Sequence, residues 1–173
     1  MALNGSTGTG TIIYSGTVFF EGHTANSDYI CQVYDSTGGT DCNVATPGTA
    51  IPFDLQTIID NMYTHSIITN PSRITVTRPG LYKVSYNISW EDSTSGRRDV
   101  RAYARINGNT AIVPSASYAY GRNTIEAEAT NSATFFVTLS ANDYIEIMCE
   151  LAGSAGTSPA IANESWITME FVR

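Results

Sequence analysis

Few residues of this chain have the types and spacing that catalysis requires. The two histidines, His23 and His65, stand in no metal-ligand pattern such as His-x-x-x-His. The sequence has no Gly-x-Ser-x-Gly elbow, no phosphate-binding glycine loop and no Cys-x-x-Cys pair. Neighbouring acids such as Glu91 and Asp92 are typical of a solvated surface rather than of paired catalytic carboxylates. We therefore expect a protein that is not an enzyme and that uses no cofactor.

Calcium is the metal that these acidic side chains would suit best. Glu91, Asp92 and Asp99 flank one loop, and carboxylate oxygens in a turn are typical Ca²⁺ ligands. Their spacing does not match that of a dedicated calcium-binding loop. We therefore predict no metal site and keep calcium as an alternative for this loop.

Positive charge is concentrated in one predicted strand. Arg101, Tyr103 and Arg105 alternate with small apolar residues and should share one exposed strand face. Guanidinium groups on such a face could bind an acidic protein surface or an anionic glycan. Local ion pairs with Asp99 and Glu91 are the simpler interpretation of the same charges.

Two aromatic residues, Tyr118 and Tyr120, stand in a polar stretch that we interpret as an edge strand over residues 115–122. A tyrosine ring combines an apolar body with a polar hydroxyl, so exposed tyrosines suit stacking on sugars. A receptor-binding or glycan-binding site is therefore a function that the sequence allows.

The composition favours strands over helices. Charged residues make up 14% of the 173 residues, and Lys83 is the only lysine. Long helices usually draw on Glu and Lys for their exposed faces, so this polar set favours strands and turns. The net charge of -7 argues against nucleic-acid binding, which requires a basic surface. Because no stretch approaches the ~18 apolar residues of a membrane span, we expect no membrane insertion.

The clearest strand signal lies between Gly80 and Trp90. From residue 82 onwards the even-numbered residues are Tyr, Val, Tyr, Ile and Trp, and the residues between them are Lys, Ser, Asn and Ser. Strand side chains alternate between the two faces of a sheet, so this segment has one apolar face and one polar face. The pattern predicts a half-buried antiparallel strand.

Further segments repeat this alternation at short spacings. Asn107-Gly108 predicts a tight turn, since both residues tolerate positive φ. Residues 57–63 are ambiguous, because their apolar residues would also share one side of a short helix. At least six alternating strands without a long helix predict an all-β jelly-roll sandwich. The other alternating segments are residues 51–55, 73–77, 99–106, 133–139, 145–151 and 166–172.

The first quarter of the chain is the least regular part. Its opening residues are Gly/Ser/Thr low complexity, and it has few apolar residues with which to build a core. We place a boundary near residue 45, with a hairpin or extended N-terminal arm over residues 1–45 and the main domain over residues 46–173. The arm contains Cys31 and Cys42, which could form a disulfide, although reduced thiols are the simpler interpretation.

Four large residues lie out of phase with the apolar rows of their strands. These are Phe136, Tyr144, Met148 and Trp166. Apolar side chains on faces that should be exposed indicate a second buried surface, such as a trimer interface. A strand bulge or a covering loop is the alternative explanation.

The order of these segments resembles the C1q/TNF-like jelly-roll family over roughly residues 50–173. Two departures are Asn142, where the family usually has glycine, and an ending without Phe-x-Gly-Phe. The motifs that carry the resemblance are Arg78-Pro79-Gly80-Leu81-Tyr82, residues 104–108 (Ala-Arg-Ile-Asn-Gly), the 133–139 strand, Asn142-Asp143-Tyr144-Ile145 and the closing 166–172 strand.

The resemblance implies a homotrimer that acts by binding rather than by catalysis. A Ser/Thr/Asn/Gly-rich acidic chain without a collagen stalk is similar in style to bacteriophage or viral versions of such domains. We therefore expect a capsid decoration or head-fibre protein on the virion surface, attached to the major capsid protein through its N-terminal segment. The alternative is a head domain that binds a host glycan or receptor.

Overall fold

The computed structural model describes residues 29–92, 96–122 and 128–173. Almost all regular structure in these ranges is strand, with one short 3-10 turn at Val113–Ser115. No helix among them is long and apolar enough to cross a lipid bilayer. The strands are β1 (Ile30–Asp35), β2 (Thr49–Ala50), β3 (Leu55–Ile59), β4 (Tyr63–His65), β5 (Ile74–Val76), β6 (Gly80–Glu91), β7 (Arg97–Ile106), β8 (Thr110–Ala111), β9 (Ser117–Arg122), β10 (Glu128–Leu139), β11 (Tyr144–Leu151) and β12 (Ser165–Phe171).

The strands form two antiparallel sheets. Sheet I has the order β10-β6-β12-β1-β3, and sheet II has the order β4-β5-β11-β7-β8, with β2 beside β11 and β9 beside β7. Strands that are distant in the chain are neighbours, since the first strand pairs with the last. Two packed sheets with these crossovers are a jelly-roll sandwich, which confirms the predicted all-β fold.

Strand β6 has the predicted polarity. Alternate residues from Tyr82 to Trp90 are buried in the space between the sheets, whereas Lys83, Ser85 and Asn87 are partly exposed. Burying each large apolar side chain contributes roughly 2 kcal/mol, so this strand is a major source of core stability.

Buried polar groups of the core are hydrogen-bonded across the sandwich. The Tyr86 hydroxyl lies 2.6 Å from the Ser115 carbonyl and 3.1 Å from the Ala102 carbonyl. The Trp90 indole donates to Asn131 Oδ1 at 2.8 Å, and the Asn131 amide donates to the Val100 carbonyl at 3.1 Å. These bonds offset the cost of burying polar atoms and fix how sheet I sits on sheet II.

Asparagine provides several of the turns. Asn107 and Gly108 have φ values of 52° and 75°, which confirms the predicted tight turn. Asn142 has a φ of 71°. This backbone conformation favours glycine, and asparagine is among the few other residues that tolerate it.

The first described strand lies within the sandwich. β1 occupies sheet I between β12 and β3, and its Cys31 and Val33 side chains are fully buried. The predicted boundary near residue 45 therefore does not separate β1 from the main domain, because a strand with two hydrogen-bonded neighbours is part of that sheet. The rest of the described part of the predicted arm also packs on the sandwich, since Cys42 is fully buried and Asp41 pairs with Pro159. Residues 1–28 of the arm lie outside the described residues.

The structure also resolves two alternatives that the sequence leaves open, the conformation of residues 57–63 and a disulfide between Cys31 and Cys42. The ambiguous residues 57–63 are not helical: β3 continues to Ile59, a turn follows, and β4 begins at Tyr63. Cys31 and Cys42 are free and buried, as is Cys149, so the alternative of a hairpin disulfide is not realised. Burial raises the pKa of the Cys31 thiol to about 12.

Candidate functional site

The outer face of sheet I is built from aligned rows of residues on five strands. Each row runs across the sheet, perpendicular to the strands. The first row is Ser132, Asn87, Trp166, Tyr34 and Leu55; the second is Thr134, Ser85, Thr168, Gln32 and Ile58; the third is Phe136, Lys83, Glu170 and Ile30.

Large apolar residues lie on this face and not only in the core. Trp166 is half-buried and lies opposite Tyr34, where both line a shallow cavity of about 350 Å³ with Gln32, Thr57 and Asn163. At the other side of the face, the Phe136 side chain is 58% exposed. Exposed aromatic rings on one sheet face are typical of a surface that another protein covers.

The middle of this face carries short hydroxyl side chains and one Lys–Glu pair. Ser85 and Thr134 hydroxyls lie 2.8 Å apart across the β6–β10 pair. The Lys83–Glu170 pair, with 3.4 Å between Nζ and Oε2, is half-exposed and therefore contributes little to stability. Short hydroxyl side chains allow another surface to approach the sheet closely.

The structure does not bring all four out-of-phase residues to one surface. Phe136 and Trp166 lie on the outer face of sheet I, whereas Tyr144 and Met148 belong to β11 of sheet II. Met148 is only 2% exposed, and its cross-strand neighbours are Tyr103 of β7 and Ala50 of β2. The Arg73 guanidinium lies 4.5 Å from the centre of the Tyr144 ring. The prediction of a single surface containing these four residues is therefore wrong for Tyr144 and Met148.

The predicted arginine face forms ion pairs within the protein. Arg101 Nη1 lies 2.6 Å from Glu150 Oε1, and Arg105 Nε lies 2.9 Å from Glu146 Oε2. Arg73 Nε reaches the other oxygen of Glu146 at 3.0 Å. Ion pairs were the simpler interpretation, but the acids come from β11 rather than from the loop at residues 91–99. The sequence could not indicate these partners, because pairing between β7 and β11 is non-local.

Tyr103 is buried on this face rather than exposed as predicted. Its side chain is 8% exposed, with the Arg101 guanidinium 4.4 Å from the ring centre. Its hydroxyl donates to Glu150 Oε2 at 3.3 Å. Burial and the adjacent carboxylate raise the pKa of this hydroxyl. Tyr103 therefore stabilises the ion pairs between β7 and β11 and is not available to a partner.

The two tyrosines of β9 are accessible. The strand predicted over residues 115–122 is present as β9, which pairs with β7 and places Tyr118 opposite Arg101 and Tyr120 opposite Asp99. The exposed fractions of the two tyrosines are 68% and 52%. Of the residues predicted to bind a partner, Tyr118 and Tyr120 are therefore the most exposed.

The acidic residues of the predicted calcium alternative make other contacts in the structure. Asp92 is buried with Arg98, whose Nε lies 3.4 Å from Asp92 Oδ1. Asp99 lies against the backbone of Gly153. No group of three potential ligands comes together anywhere in the described ranges. His65 Nε2 lies 2.9 Å from the Pro71 carbonyl and Nδ1 lies 3.0 Å from the Gln56 amide, and His23 is outside those ranges.

Sequence reasoning missed Tyr34, Leu55 and Gln32 as parts of the sheet I face. The signal was present, since Cys31 and Val33 alternate with Gln32 and Tyr34 as core and surface residues do. It was overlooked because β1 was assigned to an arm outside the sandwich.

Comparison with known proteins supports the fold. No protein-family profile and no curated protein sequence matches the chain. Similar solved structures include the Eiger TNF of S. frugiperda, with a TM-score of 0.55 and 13% identity over 84% of this chain and 92% of that one. The globular domain of the zebrafish complement 1qA protein has a TM-score of 0.53 and 14% identity, over 84% of this chain and 98% of that one. Murine APRIL has a TM-score of 0.55 and 8% identity, over 83% of this chain and 98% of that one. The chain therefore has a TNF/C1q-like jelly-roll fold.

Proposed function

We propose that this chain is a non-enzymatic binding protein that assembles as a homotrimer through the outer face of sheet I. The observation that carries the proposal is the pairing of Trp166 with Tyr34 on a face that also carries short hydroxyl side chains. Aromatic residues amid small polar ones suit a protein interface, because burial of the aromatic rings is favourable and short side chains permit close packing. The threefold assembly is what the resemblance to C1q/TNF-like domains implies.

A threefold interface joins two different patches, because each copy contacts the next in a closed ring. Phe136 stands on β10, the edge strand of sheet I. We assign the Trp166–Tyr34 side of the face to one half of each contact and the β10 edge with Phe136 to the other. This arrangement covers both exposed aromatic regions of the sheet.

Tryptophan accessibility tests this assignment. Trp90 is fully buried within one chain, so quenching of tryptophan fluorescence by acrylamide reports mainly on Trp166. In the proposed trimer the neighbouring chain protects Trp166 from acrylamide. At high protein concentration the fluorescence of both tryptophans is therefore poorly quenched. A second, readily quenched tryptophan at every protein concentration would contradict the interface.

We further propose that the trimer is a virion surface protein, as a capsid decoration or head-fibre component. This part rests on the acidic Ser/Thr/Asn/Gly-rich composition, with the N-terminal segment as the candidate attachment to the major capsid protein or another virion protein. Immunogold labelling of particles purified from the source culture tests it directly. Label on the particle exterior is the expected result, and label confined to particle-free fractions would contradict it.

A second candidate function is a head domain that recognises a glycan or receptor. The exposed rings of Tyr118 and Tyr120 on β9 favour it, because these are large aromatic side chains without a partner surface in one chain. A glycan array separates the two candidates. A decoration protein should bind no glycan selectively, whereas a recognition head should.

A further inference from the structure

Two arginines face each other at the end of sheet II. Arg97 begins β7 and lies directly opposite Arg122, the last residue of β9, and both side chains are exposed. Like charges at opposed positions of an antiparallel pair are destabilising. None of the acidic side chains in the described ranges forms an ion pair with either guanidinium. The pair therefore presents two exposed guanidinium groups that could bind an anion, with Asp99 two residues along β7 on the same face.

The exposed tyrosines continue from this arginine pair along β9. Tyr118, Tyr120 and Arg122 are alternate residues of one strand, so their side chains leave the same face of the sheet. Their Cα atoms span roughly 13 Å at the rise of an antiparallel strand. We name Arg97, Arg122, Tyr120 and Tyr118 the β9 strip. It has two guanidinium groups at one end and two accessible aromatic rings beyond them.

We propose that the β9 strip binds an acidic oligosaccharide that carries a carboxylate. The guanidinium groups of Arg97 and Arg122 match the planar, two-oxygen geometry of a carboxylate. The apolar face of a pyranose ring packs on a tyrosine ring, while the phenol hydroxyl can bond a sugar hydroxyl. Asp99 lies opposite Tyr120 and offers an acceptor for further sugar hydroxyls. This inference rests on the recognition-head candidate, and it is independent of the trimer because the strip is on the other sheet.

The neighbouring charges restrict the site to the end of the strip. Arg101 lies opposite Tyr118, but its guanidinium is bound by Glu150 at 2.6 Å. A carboxylate is therefore expected at Arg97 and Arg122 and not in the middle of the sheet. The proposal therefore fixes the orientation of the oligosaccharide on the strip. Its acidic sugar lies at Arg97 and Arg122, and its neutral sugars lie over the tyrosines.

An array of immobilised oligosaccharides tests the proposal with the full chain. It carries sialylated and uronic-acid-containing members, neutral members with the same backbones, and polyglutamate as a measure of simple charge attraction. The expected result is selective binding to carboxylated sugars, weaker at high salt because the arginines are exposed. Binding to neutral sugars alone, equal binding to polyglutamate, or no binding to any carboxylated sugar would overturn the proposal.

Matched variants locate the site. Arg97→Gln and Arg122→Gln should each weaken binding about tenfold, the loss expected for one charge-assisted hydrogen bond. Tyr120→Ala should also weaken binding. Arg173→Gln is the control, because it removes the same charge from an exposed residue outside the β9 strip. Arg173 lies beside Gly80, the first residue of β6, and its substitution should leave the affinity unchanged. Unchanged binding by Arg122→Gln would place the ligand elsewhere, and light scattering of each variant separates loss of the site from loss of assembly.

Discussion

Trp166 lies directly opposite Tyr34 in the antiparallel pair of β12 and β1, with both side chains on the outer face of sheet I. The two residues come from the last and the first described strands, so this surface exists only once these distant strands have paired. Their neighbours across the sheet are Asn87 and Leu55. The surface is thus a product of tertiary pairing, and a change at one residue alters a face shared by five strands.

Trp166→Glu should reduce the native mass to that of one chain while leaving the strand content intact. Trp166 is half-buried on the sheet surface, so the monomer can solvate the new charge, whereas a covered interface cannot. Light scattering reports the mass and far-UV circular dichroism reports the strands. Ile68→Glu is the control, because Ile68 is 86% exposed in the loop between β4 and β5 of sheet II and should keep the trimer. A trimeric Trp166→Glu variant would remove Trp166 from the interface.

Glu146→Gln should destabilise the fold by about 2 kcal/mol. Glu146 is buried and accepts hydrogen bonds from Arg73 and Arg105, so the neutral amide leaves two guanidinium groups without their counter-charge. Urea unfolding measures the loss. Glu164→Gln removes an exposed carboxylate and should stay within about 0.5 kcal/mol of the parent. Equal stability of both variants would mean that the ion pairs of Glu146 do not stabilise sheet II.

Asp35 and Asp54 should show opposite pH dependences. Burial raises the pKa of Asp35, so its favourable contribution exists below the unfolded pKa and is lost as pH rises through the folded value. Burial also opposes ionisation of Asp54, but hydrogen bonds from the Ser36 N–H at 2.6 Å and hydroxyl at 3.1 Å outweigh it and lower its pKa. Asp54 therefore contributes stability above the unfolded pKa that is lost as pH falls through the folded value.

Unfolding of Asp35→Asn and Asp54→Asn between about pH 3 and pH 7 measures this difference. Relative to the parent, Asp35→Asn should gain stability as the pH rises, and Asp54→Asn should lose stability over the same range. Parallel curves for the two variants would contradict the assigned environments.

A chain that begins at Ala45 should fail to fold, because it lacks β1. That strand hydrogen-bonds to both β12 and β3 and buries Cys31 and Val33 in the core. A chain that begins at Tyr29 keeps β1 and should unfold cooperatively. Thermal unfolding followed by circular dichroism compares the two. A cooperative transition in the Ala45 chain would restore the boundary that the sequence predicts.

Local patterns predicted much of the fold. The alternation in β6 identified its core face, and the turn at Asn107-Gly108 follows from the backbone freedom of those residues. Each of these features depends on a few adjacent residues. The periodicity of two therefore sufficed to predict the strands and the all-β class.

The candidate surfaces were less predictable, because they depend on which strands pair. Met148 is out of phase with its strand, yet it is buried beside Tyr103 and Ala50 of the neighbouring strands. Arg101 was assigned to an exposed face, but Glu150, 49 residues away, lies opposite it. Only the register between distant strands shows whether a polar face is free, paired or covered.

The native mass of the full chain, measured by light scattering over a range of concentrations, tests the central claim most directly. The account predicts a mass three times that of the chain, with Trp166→Glu at the mass of a single chain. A full-length protein with the mass of one chain at every concentration would contradict assembly through the outer face of sheet I.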